Sequence, residues 1–260
     1  MITQIAIKDF ENSVIPWAEK IEFFQKPIKF ADGINILFGK NATGKSTLLT
    51  AIAKMMFCYQ GGKSVVTQNS LHEMFPIALS FGENKDSKEK RMKSIEVLHD
   101  GTSVRYFAAL KNYGSMGASF DDDFFDLGVA SLNNKELSAG QQTLYWFNLI
   151  VQQKLTKKIE YSMDKNHVND LWKEYIELAE KALKPKIPEG NPTLLIDEGE
   201  KGLDFVNASN FWQMIKKSKG VQLIIASHSP FCLFVEGANY IEMTKGYLEE
   251  SRKIFKGMKT

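Results

Sequence analysis

Three runs near the N-terminus, TQIAIK (3–8), IEFFQKPIKF (21–30) and INILF (34–38), alternate or cluster apolar residues between Gly, Pro and polar turns. That pattern predicts short strands. The third runs straight into GKNATGKST, after which Leu48, Leu49, Ile52, Ala53 and Met56 recur at helical spacing from Ser46 to Phe57. The predicted order is strand, glycine-rich turn, helix. Between 76 and 110, IALSF and SIEVLHDGTSVRYFAAL flank a charged loop, GENKDSKEKRMK. HDGT reads as a hairpin turn, which predicts a small antiparallel lobe. LSAGQQ (137–142) marks the passage from a polar loop to the apolar run TLYWFNLIV, and Ser138 with Gln141 has the spacing of a capping box at a helix start.

From Gln152 to Lys184 the chain is charged and reads as helical throughout, with a break near Asp164 to Asn169, before KPKIPEGNP closes it. Trp172, Tyr175, Ile176 and Ala179 form an apolar stripe there, suited either to holding a helical pair together or to facing a partner. TLLID (193–197) and VQLIIAS (221–227) are continuous apolar runs of the kind buried on both faces of a sheet, with the amphipathic FVNASNFWQMIKK between them. Parallel-type strands alternating with helices predict an α/β sheet.

Composition narrows this picture. At 260 residues and 43% hydrophobic, the chain can fill the core of one large domain or two small lobes. The 33 basic and 31 acidic residues give a net charge of +2, so any polyanion-binding surface must be local. Cys58 and Cys232 stand far apart with no CxxC and no His/Cys cluster, which argues against a disulfide framework or a zinc site. No run approaches the roughly 20 apolar residues of a membrane span, and MITQIAIKDFENS lacks the regions of a signal peptide. A cytoplasmic protein with no membrane partner is expected. No internal repeat is evident. DDDFFD (121–126) reads as an acidic surface loop or a metal site, without the spaced histidines or lysines of a nuclease.

Three motifs carry chemistry. Gly39, Lys40, Asn41, Ala42, Thr43, Gly44, Lys45 and Ser46 fit G-x-x-x-x-G-K-[ST], with Thr47 following. Such a loop turns backbone N–H groups toward phosphates at a helix N-terminus, Lys45 reaches the β- and γ-phosphates, and Ser46 offers a hydroxyl to Mg²⁺. In LLIDEGEKGLD, Asp197 ends a buried strand and can hold the metal through a water, while the adjacent Glu198 can polarise an attacking water. His228 follows VQLIIAS, where a neutral imidazole can hydrogen-bond the γ-phosphate or that water.

In this order, GKNATGKST, LSAGQ, LLIDE, GLD and SH resemble the Walker A, signature, Walker B, D-loop and switch histidine of the ATP-binding-cassette (ABC) ATPase superfamily. The set spans residues 39 to 228. The resemblance implies an α/β P-loop NTPase with a mostly parallel central sheet, an antiparallel β lobe and a short helical insertion. A single domain is expected over 1–260, with a Walker A lobe (1–137), a signature helix and insertion (138–192), and a Walker B and switch lobe (193–260). It implies ATP and Mg²⁺ as cofactors and an ATP-dependent head-to-tail homodimer, in which Ser138, Ala139, Gly140 and Gln141 of one copy meet the nucleotide of the other and Asp204 lies at the interface. Departures are Gly199 in place of the usual proline, and Ala42 and Ala139 where glycine is common. If either site requires positive φ, alanine destabilises it by about 1 kcal/mol. Gln68 is the candidate for the Q-loop glutamine, and it lies early.

The branch matters for function. Transporter cassettes place the signature only a few helical turns before Walker B, whereas 59 positions separate Ser138 from Asp197 here. That spacing, the ending SHSP and the N-terminal pattern are more similar to the non-transporter branch of RecF, structural-maintenance-of-chromosomes (SMC) proteins and the overcoming-lysogenization-defect ATPases. The implied function is an ATP-driven switch in DNA maintenance or phage defence, acting on DNA or a protein effector. The alternatives are a transporter's nucleotide-binding subunit and an ATP sensor with little turnover.

Overall fold

The computed structural model describes residues 1–58, 64–74, 85–109, 141, 144–145, 158–163, 166 and 168–257. The chain opens with β1 (Ile2–Ile7), two 3₁₀ turns (Pro16–Lys20 and Glu22–Gln25), β2 (Ile28–Lys29), β3 (Ile34–Phe38) and helix α1 (Lys45–Met55). There follow β4 (Val65–Val66), α2 (Gln68–Met74), α3 (Lys85–Lys93), β5 (Ile95–His99), β6 (Val104–Ala108), β7 (Glu160–Tyr161) and α4 (Asp170–Ala182). The last third supplies β8 (Thr193–Asp197), α5 (Phe205–Lys217), β9 (Gln222–Ala226), β10 (Asn239–Glu242) and α6 (Tyr247–Gly257).

A five-stranded sheet in the order β10-β3-β9-β8-β6 forms the centre, and each of its four pairings is parallel. Period-two alternation explains why its strands read as unbroken apolar runs. Leu37, Leu195 and Ile224 face one core with α1, whereas Ile36, Phe38, Leu194, Ile196, Leu223 and Ile225 face a second core with Phe211, Trp212 and Ile215 of α5. Both faces are buried, so neither alternate position has to be polar. An antiparallel sheet, β2-β1-β5, covers the first core.

The α/β P-loop architecture expected from the sequence is therefore present, with corrections at several elements. Residues 21–30 form a 3₁₀ turn and a two-residue strand rather than one strand, because Phe24 tucks into the core at 2% exposure and Pro27 interrupts the ladder. HDGT does not join a hairpin: β5 pairs with β1 in the antiparallel sheet, and β6 leaves to pair with β8 in the central one. Part of the charged loop after IALSF is helix α3; IALSF itself lies outside the described residues. The segment 152–184 is not helical throughout, since Glu160–Tyr161 pairs in parallel with Val65–Val66. Its stripe is internal packing rather than a docking face: Tyr175, Ile176 and Ala179 are at most 1% exposed, and Trp172 packs edge-on to His72 at 4.6 Å.

Candidate functional site

The C-terminal ends of β3, β9 and β8 lie side by side, which is where parallel α/β sheets bind ligands. From β3 the chain turns through Gly39–Gly44 into α1. Gly44 is the N-cap, at φ 93°, and makes no side-chain capping bond. An added Cβ there would lie 2.7 Å from the Phe24 ring, so glycine is required by backbone conformation and by packing. The uncapped helix leaves its first N–H groups for an anion. Lys45 curls back over the loop, its Nζ donating to Gly39 O at 2.9 Å and Lys40 O at 2.8 Å. Burial lowers its pKa, opposed by the nearby Glu198 and Asp197. Thr43 Oγ1 braces the turn by donating to Lys40 O at 2.9 Å. Lys40 and Asn41 are exposed and Thr47 half-buried, around the same turn. Ala42 takes a φ of 61°, the left-handed conformation for which glycine is the favoured residue.

β8 brings Asp197 to this loop. Ser46 Oγ donates to Asp197 Oδ1 at 2.8 Å, and Tyr106 on the neighbouring β6 donates its hydroxyl to Asp197 Oδ2 at 3.4 Å. Burial and the adjacent carboxylate raise the Tyr106 pKa, so the phenol stays a donor. The Ser46 hydroxyl and Asp197 carboxylate together are a hard-oxygen pair of the sort Mg²⁺ prefers. Glu198 follows at φ 49°, a strained conformation for a non-glycine residue, its N–H donating to Ala226 O at 2.9 Å. Lys201 donates to Glu198 Oε2 at 2.7 Å, and His228 Nε2 lies 4.0 Å from Glu198 Oε1. Burial, then the Lys45 charge, lower the His228 pKa, which favours the neutral imidazole.

Asp204 ends the same segment as the N-cap of α5, with Oδ1 accepting from Asn207 N at 2.9 Å and the side chain exposed. Gly199 explains how the segment tolerates losing a proline: its Cβ would stand 2.6 Å from Ile196 Cγ2 and 2.7 Å from Phe211 Cζ. Phe211 fills the space a side chain would need.

The chain thus gathers Gly39 to Thr47, Asp197, Glu198 and His228 at one edge, with Asp204 at the far end of the turn. Ser138, Ala139 and Gly140 lie outside the described residues, as does DDDFFD; Gln141 occupies an exposed helical position. Gln68 opens α2 and is exposed. Sequence reasoning missed Tyr106, Glu200, Lys201 and Ser227. Lys201, three residues after Glu198, was visible as an ion-pair spacing; Tyr106 carried no such signal, because its partner is 91 residues away.

The family model described as "AAA domain" matches residues 19–257. The chain is also 28% identical over 143 residues to the DNA replication and repair protein RecF of Bacteroides thetaiotaomicron, a match covering 54% of this chain and 34% of that relative. It therefore aligns with about a third of RecF's length. Among the described residues, no helix is long and apolar enough to cross a membrane. With the family model matched over most of its length, the chain belongs to the AAA domain family and is an ABC-type ATPase of the RecF/SMC-like class.

Proposed function

We propose that this protein binds and hydrolyses Mg-ATP and uses the nucleotide to close a head-to-tail homodimer, a switch that acts in DNA maintenance. One observation carries the reading: the Lys45 loop, the Ser46–Asp197 pair and the Glu198–His228 pair converge at the ends of three adjacent parallel strands.

In this reading, the loop N–H groups from Gly39 to Thr47 and the Lys45 ammonium bind the phosphates. Ser46 and Asp197 would hold Mg²⁺, which supplies charge neutralisation at the β- and γ-phosphate oxygens. Tyr106 orients Asp197 from beneath. Glu198 accepts a proton from the attacking water, and the neutral His228 fixes the water or the γ-phosphate by hydrogen bonding. Lys201 holds the Glu198 carboxylate by donating to Oε2. Ser138, Ala139, Gly140 and Gln141 of a second copy would complete the site, with Asp204 at the interface. DNA is the favoured partner because the RecF relative is named for DNA replication and repair; a protein effector in phage defence remains the alternative, and a transporter subunit is disfavoured by the long signature-to-Walker B spacing.

Glu198→Gln should bind ATP, lose about 10²-fold or more of turnover, and accumulate as a dimer by light scattering with Mg-ATP. A strictly monomeric variant saturated with ATP would sink the dimer switch. Nucleotide binding by the wild type without turnover would replace the hydrolase by a sensor.

A further inference from the structure

Glu200 lies between the two acidic residues that the proposed mechanism uses, Glu198 and Asp204, and its side chain turns inward. The Ser227 hydroxyl donates to Glu200 Oε1. The same Ser227 oxygen accepts from Ser229 N at 2.9 Å, and Ser229 Oγ in turn accepts from Phe231 N at 3.3 Å as the cap of the next turn. Ser227 and Ser229 flank His228. The backbone on both sides of the histidine is therefore tied through one hydroxyl to one carboxylate.

The second Glu200 oxygen, Oε2, is buried and accepts no hydrogen bond from the described residues. Burial raises the Glu200 pKa. A buried carboxyl group with an unmatched oxygen is a poor device for stability, where an apolar side chain of the same size would serve better. Its directional bond to Ser227 is what such a side chain could not supply. The end of β8 is also joined to β9 through Glu198 N, which donates to Ala226 O at 2.9 Å. That bond ends one residue short of Ser227, so the Glu200–Ser227 contact extends the connection from the strands into the His228 loop.

We infer that Glu200 is a positioning residue that acts through Ser227 to hold the His228 imidazole against Glu198, 4.0 Å away. It acts through the Ser227 hydroxyl and sets where the histidine stands. The inference rests on the proposed roles of Glu198 and His228 for its kinetic consequence, but the placement of His228 can be read without hydrolysis.

Glu200→Ala and Ser227→Ala should each lower kcat by about 10²-fold, the scale expected for a misplacement near 1 Å. ATP affinity, read with a fluorescent analogue, should change by less than about threefold, since the phosphate loop is untouched. The double variant should fall no further than Ser227→Ala, which already removes the hydroxyl that Glu200 acts through. Glu200→Gln should recover part of the rate, its amide oxygen still accepting from Ser227. In the nucleotide-free protein, the His228 imidazole resonance, assigned by its loss in His228→Ala, should move in Glu200→Ala and Ser227→Ala alike. An unmoved His228 resonance in folded Ser227→Ala, or losses in kcat that multiply in the double variant, would overturn the inference. If Glu200→Ala does not fold, Glu200→Leu, which keeps the volume but cannot accept from Ser227, takes its place. A wild type without turnover would instead count against the proposed function, leaving the resonance shift to decide the positioning role.

Discussion

Ala42 and Gly199 are both departures from the family pattern, and their environments give them opposite consequences. Ala42 is exposed and sits at φ 61°, where a Cβ crowds the following carbonyl. Ala42→Gly should therefore raise the unfolding free energy by about 1 kcal/mol, measurable by urea titration. Gly199 has an ordinary φ but no room, with Ile196 and Phe211 filling the position of a Cβ. Gly199→Ala should destabilise the fold by about 1–3 kcal/mol through overpacking, and Gly199→Pro, the family residue, should not rescue it. A stabilising Gly199→Ala in the same titration would show that Phe211 can swing aside.

His228 makes the pH dependence testable. Its proposed role needs the neutral ring, and burial with the Lys45 charge lowers its pKa below the ordinary 6.5. The midpoint of protonation, and with it of the loss of turnover, should therefore fall below pH 6.5. A kcat profile whose acid limb lies above 6.5, with a His228 titration to match, would contradict the neutral-imidazole role. Direction alone decides the outcome.

Among the elements, α4 shows how local signals and packing cooperate. Asn169 caps it, Oδ1 accepting from Trp172 N at 3.1 Å, and one face carries the stripe of Tyr175, Ile176 and Ala179 into the first core. Asn169→Ala should cost about 1 kcal/mol, and Ile176→Ala about 2–5 kcal/mol because it also leaves a cavity. Thermal unfolding of the two variants separates the cap from the stripe. Lys88 fixes α3 to the same helix, pairing with Glu174 at 3.2 Å and lying 4.6 Å over the Tyr175 ring.

The connection from β5 to β6 shows the limit of local signals. Turn chemistry is legible in HDGT: Gly101 has φ 78°, and Asp100 Oδ1 accepts from Thr102 N at 2.9 Å. A turn says that the chain reverses or bends, not which strand it meets next. Ser103 O accepts from Thr193 N, and from there β6 runs parallel to β8. The fully buried VRYFA fits a position between two cores better than the edge of a small lobe.

For the whole molecule, a net charge of +2 gives little general attraction to nucleic acid. If the proposed ATP-dependent dimer acts on DNA, binding should therefore appear in Glu198→Gln with ATP and be weak without it. Its logarithmic affinity should fall linearly with log salt, measurable by fluorescence anisotropy on duplex DNA from low to physiological salt. No binding in the ATP-closed state would move the assignment to a protein effector. The fold's stability should also depend on pH: His99 is 1% exposed and burial lowers its pKa. The unfolded chain then binds more protons than the folded one as pH falls through and below 6.5, so stability declines on acidification.

Periodicity by itself determined that Leu194 and Leu223 would be buried beside oppositely directed neighbours, that a helix would follow GKNATGKST, and that FVNASNFWQMIKK would be helical from Phe205. These are properties of residues two to four positions apart, where steric preference and hydrogen-bond geometry act directly along the chain. Only the tertiary structure decided that Tyr106 would reach Asp197 across 91 positions, that Ser227 would meet Glu200 across 27, and that Ala42 would need a left-handed turn. Those contacts depend on which strands become neighbours in the sheet, a choice made by the burial of both its faces at once.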